Sequence, residues 1–275
     1  MPPASPDPRE LLDTALEVAR RAGQVLADRF GGQRTIRYKG GIDLVTDADH
    51  ASEKVMLEVL RQRFPEHAVL AEESGGSTGN GFRWILDPLD GTTNYSHRVP
   101  HFCVSVAVEG PDGLLAGVIH DPIRQETFAA SRGGGATLNG EPMRPAETGD
   151  LDGALLCTGF PYDVRERPEA PLGLFNRLMR RCQGIRRFGS AALDLAYVAC
   201  GRFDGFFEFG LKPWDIAAGV LLVEEAGGRI SRVDGEPLDL SAGDIVGAAP
   251  GIYQPLRDET REFLKEIGWA PGQRR

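Results

Sequence analysis

Two aspartates three residues apart, Asp87 and Asp90, stand in the chemically most informative segment of the chain. Pro88 fixes its own φ and biases Asp87 towards an extended conformation. This geometry can turn the Leu89 carbonyl and the Asp90 side chain towards a cation that Asp87 binds, and Gly91 frees the turn that follows. Such hard oxygen ligands suit Mg²⁺ or Mn²⁺ better than a metal bound by thiolate or imidazole. The segment predicts a metal site; the alternative is an Asp-Pro turn with a solvated Asp-Gly.

The flanking residues predict where this pair lies. Residues 82–86 form an apolar, aromatic run with strand character, so Asp87 is expected where a strand ends and a loop begins, a common location for catalytic groups. Gly91 and Thr92 are expected to open a short helix whose free N–H groups face an anion, an arrangement that favours phosphate. The sequence therefore predicts a phosphate site beside the metal site.

Acidic residues in three other segments have similar positions. Glu72 follows the apolar run 68–71, and Asp49 precedes a predicted helix over 50–64. Asp215 falls in the first turn of another predicted helix. Taken singly, Asp49 and Asp215 are more often helix caps than ligands. Only the combination of the segments favours a shared site.

Together, these segments resemble the inositol monophosphatase family, which belongs to the Mg²⁺-dependent, lithium-sensitive phosphatases that include fructose 1,6-bisphosphatases. Asp-Pro-x-Asp-Gly-Thr at 87–92 and Trp-Asp-x-Ala-Ala-Gly at 214–219 match the two signatures of that group. Thr-Gly-Phe-Pro at 158–161 and Gly-Ser-Ala-Ala-Leu-Asp-Leu-Ala-Tyr at 189–197 are most similar to the bacterial branch. Supporting matches cover most of the chain.

The resemblance implies a set of metal ligands. A first Mg²⁺ would be held by Glu72, Asp87 and the Leu89 carbonyl. A second would be shared by Asp87, Asp90 and Asp215. A looser third would rely on Glu72 and water, and Mn²⁺ is an alternative metal. Two cations that bridge one phosphate stabilise both the attacking and the leaving oxygen of a direct transfer to water.

The resemblance also implies catalytic roles. Thr92, paired with Asp49, would orient the attacking water and help to take its proton, and Glu72 is the third residue expected to be catalytic. The N–H groups of Gly91 and Thr92 would hold phosphate oxygens. Lys39 would screen charge near the phosphate.

Substrate recognition is implied for a further acidic residue. Glu208, within Phe-Phe-Glu-Phe at 206–209, matches the position at which inositol monophosphatases accept hydrogen bonds from ring hydroxyls. Asp90, Ala191 and Asp215 match other contacts to the ring. A buried acceptor rejects a substrate without the hydroxyl because the acceptor is left unpaired. These residues therefore restrict the substrates to polyol phosphates.

The function implied by the resemblance is hydrolysis of inositol monophosphate to inositol and phosphate by a metal-activated water. Sugar, histidinol or nucleotide phosphates are alternative substrates of the same class. A different alternative is a partner-binding protein that retains the fold, with phosphatase activity secondary or absent.

Composition allows such an enzyme and disfavours other classes. With 275 residues and 41% hydrophobic content, the chain can bury a sizeable core in one large or two closely packed domains. A net charge of -9 argues against generic nucleic-acid binding and suits an acidic pocket that collects cations. His97 and His101 are the one pair at His-x-x-x-His spacing, but they lack the glutamate of the His-Glu-x-x-His zinc motif, so zinc chemistry is not expected.

The cysteines and the N-terminus predict the compartment. Four cysteines lie far apart without a Cys-x-x-Cys pair, which indicates reduced thiols in a cytosolic protein. The first six residues, Met-Pro-Pro-Ala-Ser-Pro, have neither a charged n-region nor an apolar h-region. No apolar run approaches the roughly 18 residues of a membrane span. We therefore expect a cytoplasmic protein without membrane association.

The hydrophobic pattern predicts two helices, then a run of strands, and after Gly140 an alternation of strands and helices. Residues 133–135, three glycines, precede no helix and predict a hairpin turn rather than a phosphate loop. The predicted helices cover residues 8–30, 50–64, 170–182, 190–200, 213–227 and 252–266, and the predicted strands 68–72, 82–87, 102–109, 114–120 and 126–130.

The resemblance implies a layered α+β or α/β fold, a five-layer α-β-α-β-α sandwich of the sugar phosphatase type found in inositol monophosphatases and fructose bisphosphatases. An N-terminal α+β half, residues 1–143, would carry most metal ligands. A C-terminal α/β half, residues 144–275, would carry Asp215 and the substrate contacts. The active site would lie between the halves, and a homodimer is the usual assembly.

Overall fold

Helices and sheets stack in the expected order, α-β-α-β-α, in this computed structural model, which describes residues 8–32, 36–38 and 44–269. Three apolar cores separate the layers, one on each face of the larger sheet and one beneath the outer helices of the smaller sheet. The predicted fold class is therefore confirmed. No helix in the described part of the chain is long and apolar enough to cross a membrane.

The first layer consists of helices α1 (Pro8–Arg29) and α2 (Asp47–Arg63). Strands β1 (Ile36–Tyr38) and β2 (Leu44–Thr46) pair antiparallel between them. Helix α2 begins three residues before the predicted start because Thr46 is its N-cap, and the Thr46 hydroxyl accepts a hydrogen bond from the Ala48 N–H at 3.1 Å.

The larger sheet has eight strands in the order β10-β9-β8-β7-β6-β5-β3-β4, all antiparallel neighbours except β3 and β5. The triple glycine forms the predicted turn between β8 and β9. The strands are β3 (Ala68–Ala71), β4 (Gly75–Gly76), β5 (Arg83–Asp90), β6 (Cys103–Gly110), β7 (Gly113–Asp121), β8 (Glu126–Ser131), β9 (Gly135–Leu138) and β10 (Glu141–Pro142).

Strand β5 corrects one expectation. Asp87 does not end the strand, because β5 continues to Asp90, and its pairing with β6 shifts register between these two residues. Pro88 has no N–H to donate to the ladder, so the strand is distorted at that point without ending. The distortion places the two aspartates at the edge of the pocket described below.

The middle layer consists of α5 (Ala191–Ala199) and α6 (Pro213–Glu225) between the two sheets. Every residue of α5 is buried, as expected for a helix that is apolar on all sides. A Cβ at Gly219 would lie 2.5 Å from Leu195 Cβ, so glycine allows α6 to pack closely against α5.

The smaller sheet and its outer helices complete the fold. Strand order is β12-β11-β13-β15-β14, with β11 parallel to both neighbours. The elements are β11 (Leu155–Thr158), α4 (Glu169–Met179), β12 (Gly184–Arg186), β13 (Gly205–Glu208), β14 (Arg229–Arg232), β15 (Ile245–Ala248) and α7 (Pro250–Glu266). A short helix, α3 (Thr92–Ser96), follows β5.

Candidate active site

A pocket of about 280 Å³ opens where the end of β5 meets the N-termini of α5 and α6. Side chains before residue 100 and after residue 158 both line it, so the large sheet and the C-terminal helices form it together. Asp49 lies behind the pocket, and Lys39 falls outside the described residues. Nine of the predicted site residues contribute to the lining: Glu72, Asp87, Leu89, Asp90, Gly91, Thr92, Ala191, Glu208 and Asp215.

Four carboxylates form one wall of this pocket. Burial raises the pKa of the Asp87 carboxyl well above its usual range, and the charges of Glu72, Asp90 and Asp215 raise it further. Burial, followed by the charge of Asp90, also raises the pKa of Asp215. Negative charge concentrated in a poorly solvated space is stabilised by a divalent cation, so the electrostatics of this wall fit a metal.

The donor set fits Mg²⁺ in particular. It contains carboxylate and carbonyl oxygens, and neither imidazole nor thiolate from the pocket lining. In the described part of the chain, no three His, Cys, Asp or Glu side chains are arranged to hold an ion by themselves. A cation here therefore needs additional oxygens from a carbonyl, water or phosphate, as Mg²⁺ commonly takes.

Asp90 is held by the N-terminus of α5. Its Oδ2 accepts hydrogen bonds from Ser190 Oγ at 2.6 Å and from the Ala192 N–H at 2.8 Å. Burial raises the pKa of Asp90 to about 6, although these hydrogen bonds and one from the Ala191 N–H oppose the shift. A carboxylate on β5 is thus oriented by a helix from the other half of the sequence.

Ser190 and Ala192 were missed by sequence reasoning. The signal for Ser190 was present, because serine is a preferred N-cap and stands at the start of the predicted helix 190–200, and it does cap α5. Nothing local to the sequence indicated that its hydroxyl reaches Asp90. The Ala191 N–H, expected to contact substrate, interacts with the Asp90 carboxylate in this structure.

Asp49 and Thr92 are in contact, as the resemblance implies. The Thr92 hydroxyl lies 3.2 Å from Asp49 Oδ1 and 3.0 Å from the Leu89 carbonyl oxygen. Asp49 Oδ2 accepts from the Thr46 N–H at 2.8 Å and from the Thr46 hydroxyl at 2.6 Å. Asp49 is fully buried, and burial raises its pKa. It therefore completes the capping box of α2 and also faces the pocket loop.

Asp215 likewise combines two roles. Its Oδ2 accepts a hydrogen bond from the Lys212 N–H at 2.7 Å, as a cap at the start of α6 does. The same residue lines the pocket. The choice between cap and site residue was therefore not exclusive for either Asp49 or Asp215.

The loop between β5 and α3 is fixed by its own contacts. Gly91 has φ 97°, and a Cβ there would lie 3.0 Å from the His101 carbonyl oxygen, so glycine is required for both reasons. The Leu89 N–H donates to Asp87 Oδ1 at 2.9 Å, and Ser52 Oγ donates to the Pro88 carbonyl at 2.8 Å. These bonds hold Asp87 and the Leu89 carbonyl at the pocket.

The rest of the lining, here called the second wall, has mixed polarity. Glu208 ends β13 and is 7% exposed, and a Cβ at Gly159 would lie 2.2 Å from its Oε1. Arg187, Lys212 and Tyr162 line the outer part of the pocket. Sequence reasoning did not find these three residues, because each lies in a loop and only the tertiary fold brings it to the pocket.

Comparison with known proteins decides the family. The chain matches the inositol monophosphatase family over residues 7–266. It is a member of the inositol monophosphatase family. This family of metal-dependent phosphatases accounts for the clustered carboxylates and supports a phosphatase activity that uses Mg²⁺.

Individual members of the family are similar over nearly the whole chain. Nus factor SuhB from Escherichia coli K12 is 43% identical over 263 residues, which cover 93% of this chain and 98% of that protein. An inositol-1-monophosphatase from Synechocystis is 46% identical over 248 residues, covering 89% and 86%. The structure of an inositol monophosphatase from Anabaena is 42% identical, with a TM-score of 0.83 and coverage of 96% and 98%. The SuhB structure from Bartonella henselae has a TM-score of 0.87 at 37% identity, covering 92% and 99%.

Proposed function

We propose that this protein is a Mg²⁺-dependent phosphomonoesterase that hydrolyses inositol monophosphate to inositol and phosphate. The observation that carries the proposal is one pocket that contains both the carboxylate wall and the buried Glu208. A metal-dependent phosphatase needs the carboxylate wall, and recognition of a polyol ring needs an acceptor such as Glu208.

Residues of the carboxylate wall hold the metal in this proposal. Glu72, Asp87, Asp90, Asp215 and the Leu89 carbonyl are the ligands, for two to three ions. When bound there, Mg²⁺ neutralises phosphate charge and lowers the pKa of a nearby water. Mn²⁺ is the expected substitute, since it takes similar oxygen ligands.

Thr92 and Asp49 provide the route for the proton. The attacking water donates to Thr92 Oγ1 while the Thr92 proton moves to Asp49 Oδ1, 3.2 Å away. Asp49 Oδ2 is occupied by Thr46, so Oδ1 is the atom available to accept. Because burial raises the pKa of Asp49, its carboxylate is a stronger proton acceptor than a solvated one.

Binding of the substrate divides between two groups of residues. The N–H groups of Gly91 and Thr92 hold phosphate oxygens, since the first N–H groups of a helix have no acceptor within it. Glu208 accepts hydrogen bonds from ring hydroxyls, and Asp90, Ala191 and Asp215 complete the contacts to the ring.

The experiment is a rate assay with a panel of phosphate esters in Mg²⁺: inositol 1-phosphate, a sugar phosphate, histidinol phosphate, a nucleotide and nitrophenyl phosphate. We expect the highest kcat/KM for inositol 1-phosphate and loss of all activity on exhaustive chelation. Calcium should bind and catalyse poorly, because its larger, looser coordination shell misplaces the water. Activity that survives chelation contradicts the mechanism. If another ester of the panel has a higher kcat/KM than inositol 1-phosphate, that ester replaces inositol monophosphate as the proposed substrate.

A second candidate function follows from the relatives named Nus factor SuhB. The Escherichia coli K12 protein of that name is 43% identical to this chain. A role as a Nus factor, with phosphatase activity secondary or absent, is therefore the alternative. A folded protein that hydrolyses no ester of the panel in Mg²⁺ favours this alternative.

Assembly and location are part of the proposal. The family resemblance supports a cytoplasmic homodimer that is inhibited by lithium. Light scattering of the purified full chain tests the dimer, and a lithium titration of the Mg²⁺-dependent rate tests the inhibition.

A further inference from the structure

A second cavity, of about 370 Å³, lies between α1 and the turn that joins β7 to β8. It shares no lining residue with the active-site pocket. Its volume is sufficient for a small molecule. Its polar lining residues are Arg20, Gln24, His120, Gln125, Thr127 and Asn139.

The cavity and the active site lie on opposite faces of the large sheet. His120 pairs with Val104 of β6, and Val104 belongs to the core beneath α1. Asp87 pairs with the next residue, Ser105, whose hydroxyl donates to the Trp214 carbonyl of α6. Successive residues of a strand point to opposite faces, so the cavity is a separate site.

Arg20 carries the first argument for a ligand. In the described part of the chain its guanidinium makes no ion pair or hydrogen bond, although the sequence has 40 acidic and 31 basic residues. Acidic residues on the neighbouring elements are already paired, Glu17 with Arg21 and Arg63, Asp121 with Arg124, and Glu126 with Arg202. A guanidinium at a cavity without a carboxylate partner can bind an anion through several N–H donors.

His120 carries the second argument. It is 7% exposed, and its Nδ1 lies 3.0 Å from Thr127 Oγ1. The ring also interacts with the Glu126 backbone, and Nε2 makes no side-chain hydrogen bond among the described residues. When the Thr127 hydroxyl donates to Nδ1, Nε2 carries the proton and donates into the cavity. The ring is fixed in place, since a Cβ at Gly23 of α1 would lie 2.5 Å from His120 Cδ2.

Two turn residues with left-handed backbone form part of the cavity wall. Gln125 and Asn139, with φ 56° and 52°, are two of the three non-glycine residues with positive φ in the described chain. They stabilise each other, because Asn139 Nδ2 donates to the Gln125 carbonyl at 3.2 Å and Asn139 Oδ1 accepts from the Thr127 N–H at 2.8 Å. Both residues lie in hairpin turns, where left-handed backbone is common, and their hydrogen bonds fix the shape of this part of the wall.

We propose that this cavity binds a small molecule with an oxyanion group, a phosphate or a carboxylate, held by the Arg20 guanidinium and His120 Nε2. Gln24 and Gln125 also line the cavity, and their amide nitrogens donate to Asp28 and to the Pro122 carbonyl. Their amide oxygens are suited to accept from hydroxyl groups elsewhere on the ligand. This site is independent of the proposed phosphatase activity.

The test is an NMR titration of the full-length, metal-free protein at constant ionic strength. Without metal, the carboxylates of the active site repel anions, so binding there does not compete. Inorganic phosphate and malonate are added in separate titrations, and the imidazole C–H signal of His120, assigned with His120→Gln, is followed. We expect a saturable shift with at least one of the two anions.

Variants on a single helix complete the test. Arg20→Ala should weaken binding about tenfold or more, because a charge-assisted hydrogen bond is lost, and Arg20→Lys should restore part of the affinity. Arg21→Ala is the matched control, since Arg21 is the next residue, pairs with Glu17 and does not line the cavity. It should leave the affinity unchanged.

Each result of the titrations either supports or overturns the anion site. Saturation by phosphate alone or by malonate alone supports the site and identifies the anionic group of the ligand. The absence of saturation with both anions overturns the proposal. So does an equal loss of affinity in Arg20→Ala and Arg21→Ala, since the effect is then one of general surface charge. Because no rate is measured, failure of the phosphatase assignment does not alter this result.

Discussion

The two walls of the active-site pocket are built on different principles. One wall gathers Glu72, Asp87, Asp90 and Asp215, whose charges raise the pKa values of Asp87 and Asp215 in a poorly solvated space. The other places a single acid, Glu208, among cationic and aromatic side chains. The first wall concentrates negative charge that a divalent cation would neutralise, whereas the second also contains the cationic Arg187 and Lys212. We infer that the first wall determines whether hydrolysis occurs and the second determines which ester is chosen.

The largest effect should come from Asp87→Asn. Asp87 is the residue whose pKa responds to the charges of all three other acids of its wall, so it lies at the centre of the cluster. We expect loss of both tight Mg²⁺ binding and turnover, measured by calorimetric titration beside a rate assay. Retention of tight Mg²⁺ binding would show that the wall does not depend on its central carboxylate.

Asp49→Asn should separate proton handling from metal binding. Asp49 reaches the pocket only through Thr92, so much of the Mg²⁺ affinity should remain. The rate should fall by several powers of ten, about 3 to 5 kcal/mol in activation free energy, because an amide is a poor proton acceptor. The same titration and assay measure both quantities. An equal loss of Mg²⁺ binding in Asp49→Asn and Asp87→Asn would make Asp49 part of the metal site.

Ser190→Ala tests whether the carboxylate wall needs support from α5. The variant removes a 2.6 Å hydrogen bond to Asp90, and hydrogen bonds to charged groups contribute about 1.5 to 3 kcal/mol. We expect Mg²⁺ affinity to fall roughly tenfold or more. Ser190→Thr keeps the hydroxyl and is the matched control. Unchanged Mg²⁺ affinity in Ser190→Ala, with only a lower melting temperature, would limit Ser190 to capping α5.

Glu208→Gln tests the second wall. A neutral amide accepts hydrogen bonds more weakly than a carboxylate, by roughly 1 to 2 kcal/mol for each bond. The kcat/KM for inositol 1-phosphate should fall about tenfold or more, with little change for nitrophenyl phosphate, which lacks the ring hydroxyls. If both esters lose rate by the same factor, Glu208 belongs to the catalytic or structural apparatus.

The smallest effect concerns Asp194, which lies behind the pocket. Its Oδ1 is buried without a hydrogen-bond partner among the described residues. Burial, and then the charges of Glu208 and Asp90, raise its pKa well above its usual value. The unfolded chain therefore loses this proton at lower pH than the folded chain, and the free energy of unfolding decreases as pH rises above about 4.

Asp194→Asn removes this titration. Between pH 5 and pH 8 we expect the free energy of unfolding to decrease less in the variant than in the wild type. The two decreases should differ by on the order of 1 kcal/mol. Urea unfolding of the metal-free proteins at both pH values measures the difference. Parallel losses in the two proteins would show that Asp194 does not resist ionisation in the fold.

The sequence predicted the carboxylate wall better than its support. Asp87, Asp90 and Gly91 form a local motif, and the turn after Asp90 follows from glycine at a positive φ. The bond from Ser190 to Asp90 joins residues 100 apart, so no local pattern indicates it. The same applies to Arg187 on the other wall. The motif could be predicted because its residues are neighbours in the chain. The contacts that orient its carboxylates could not, because they depend on how the two sheets pack.

In the proposed mechanism, the attachment of Asp90 to the start of α5 makes Mg²⁺ binding depend on completion of the fold. A nascent or truncated chain that ends before Ser190 has the β5 aspartates but lacks their partners and Asp215. An ion bound across both parts stabilises only the assembled molecule, so its binding free energy is added to the docking of one part on the other. Mg²⁺ should therefore make unfolding of the chain more cooperative and protect against proteolysis between β10 and β11. Mg²⁺ binding would therefore distinguish the completely folded chain from a partly folded one.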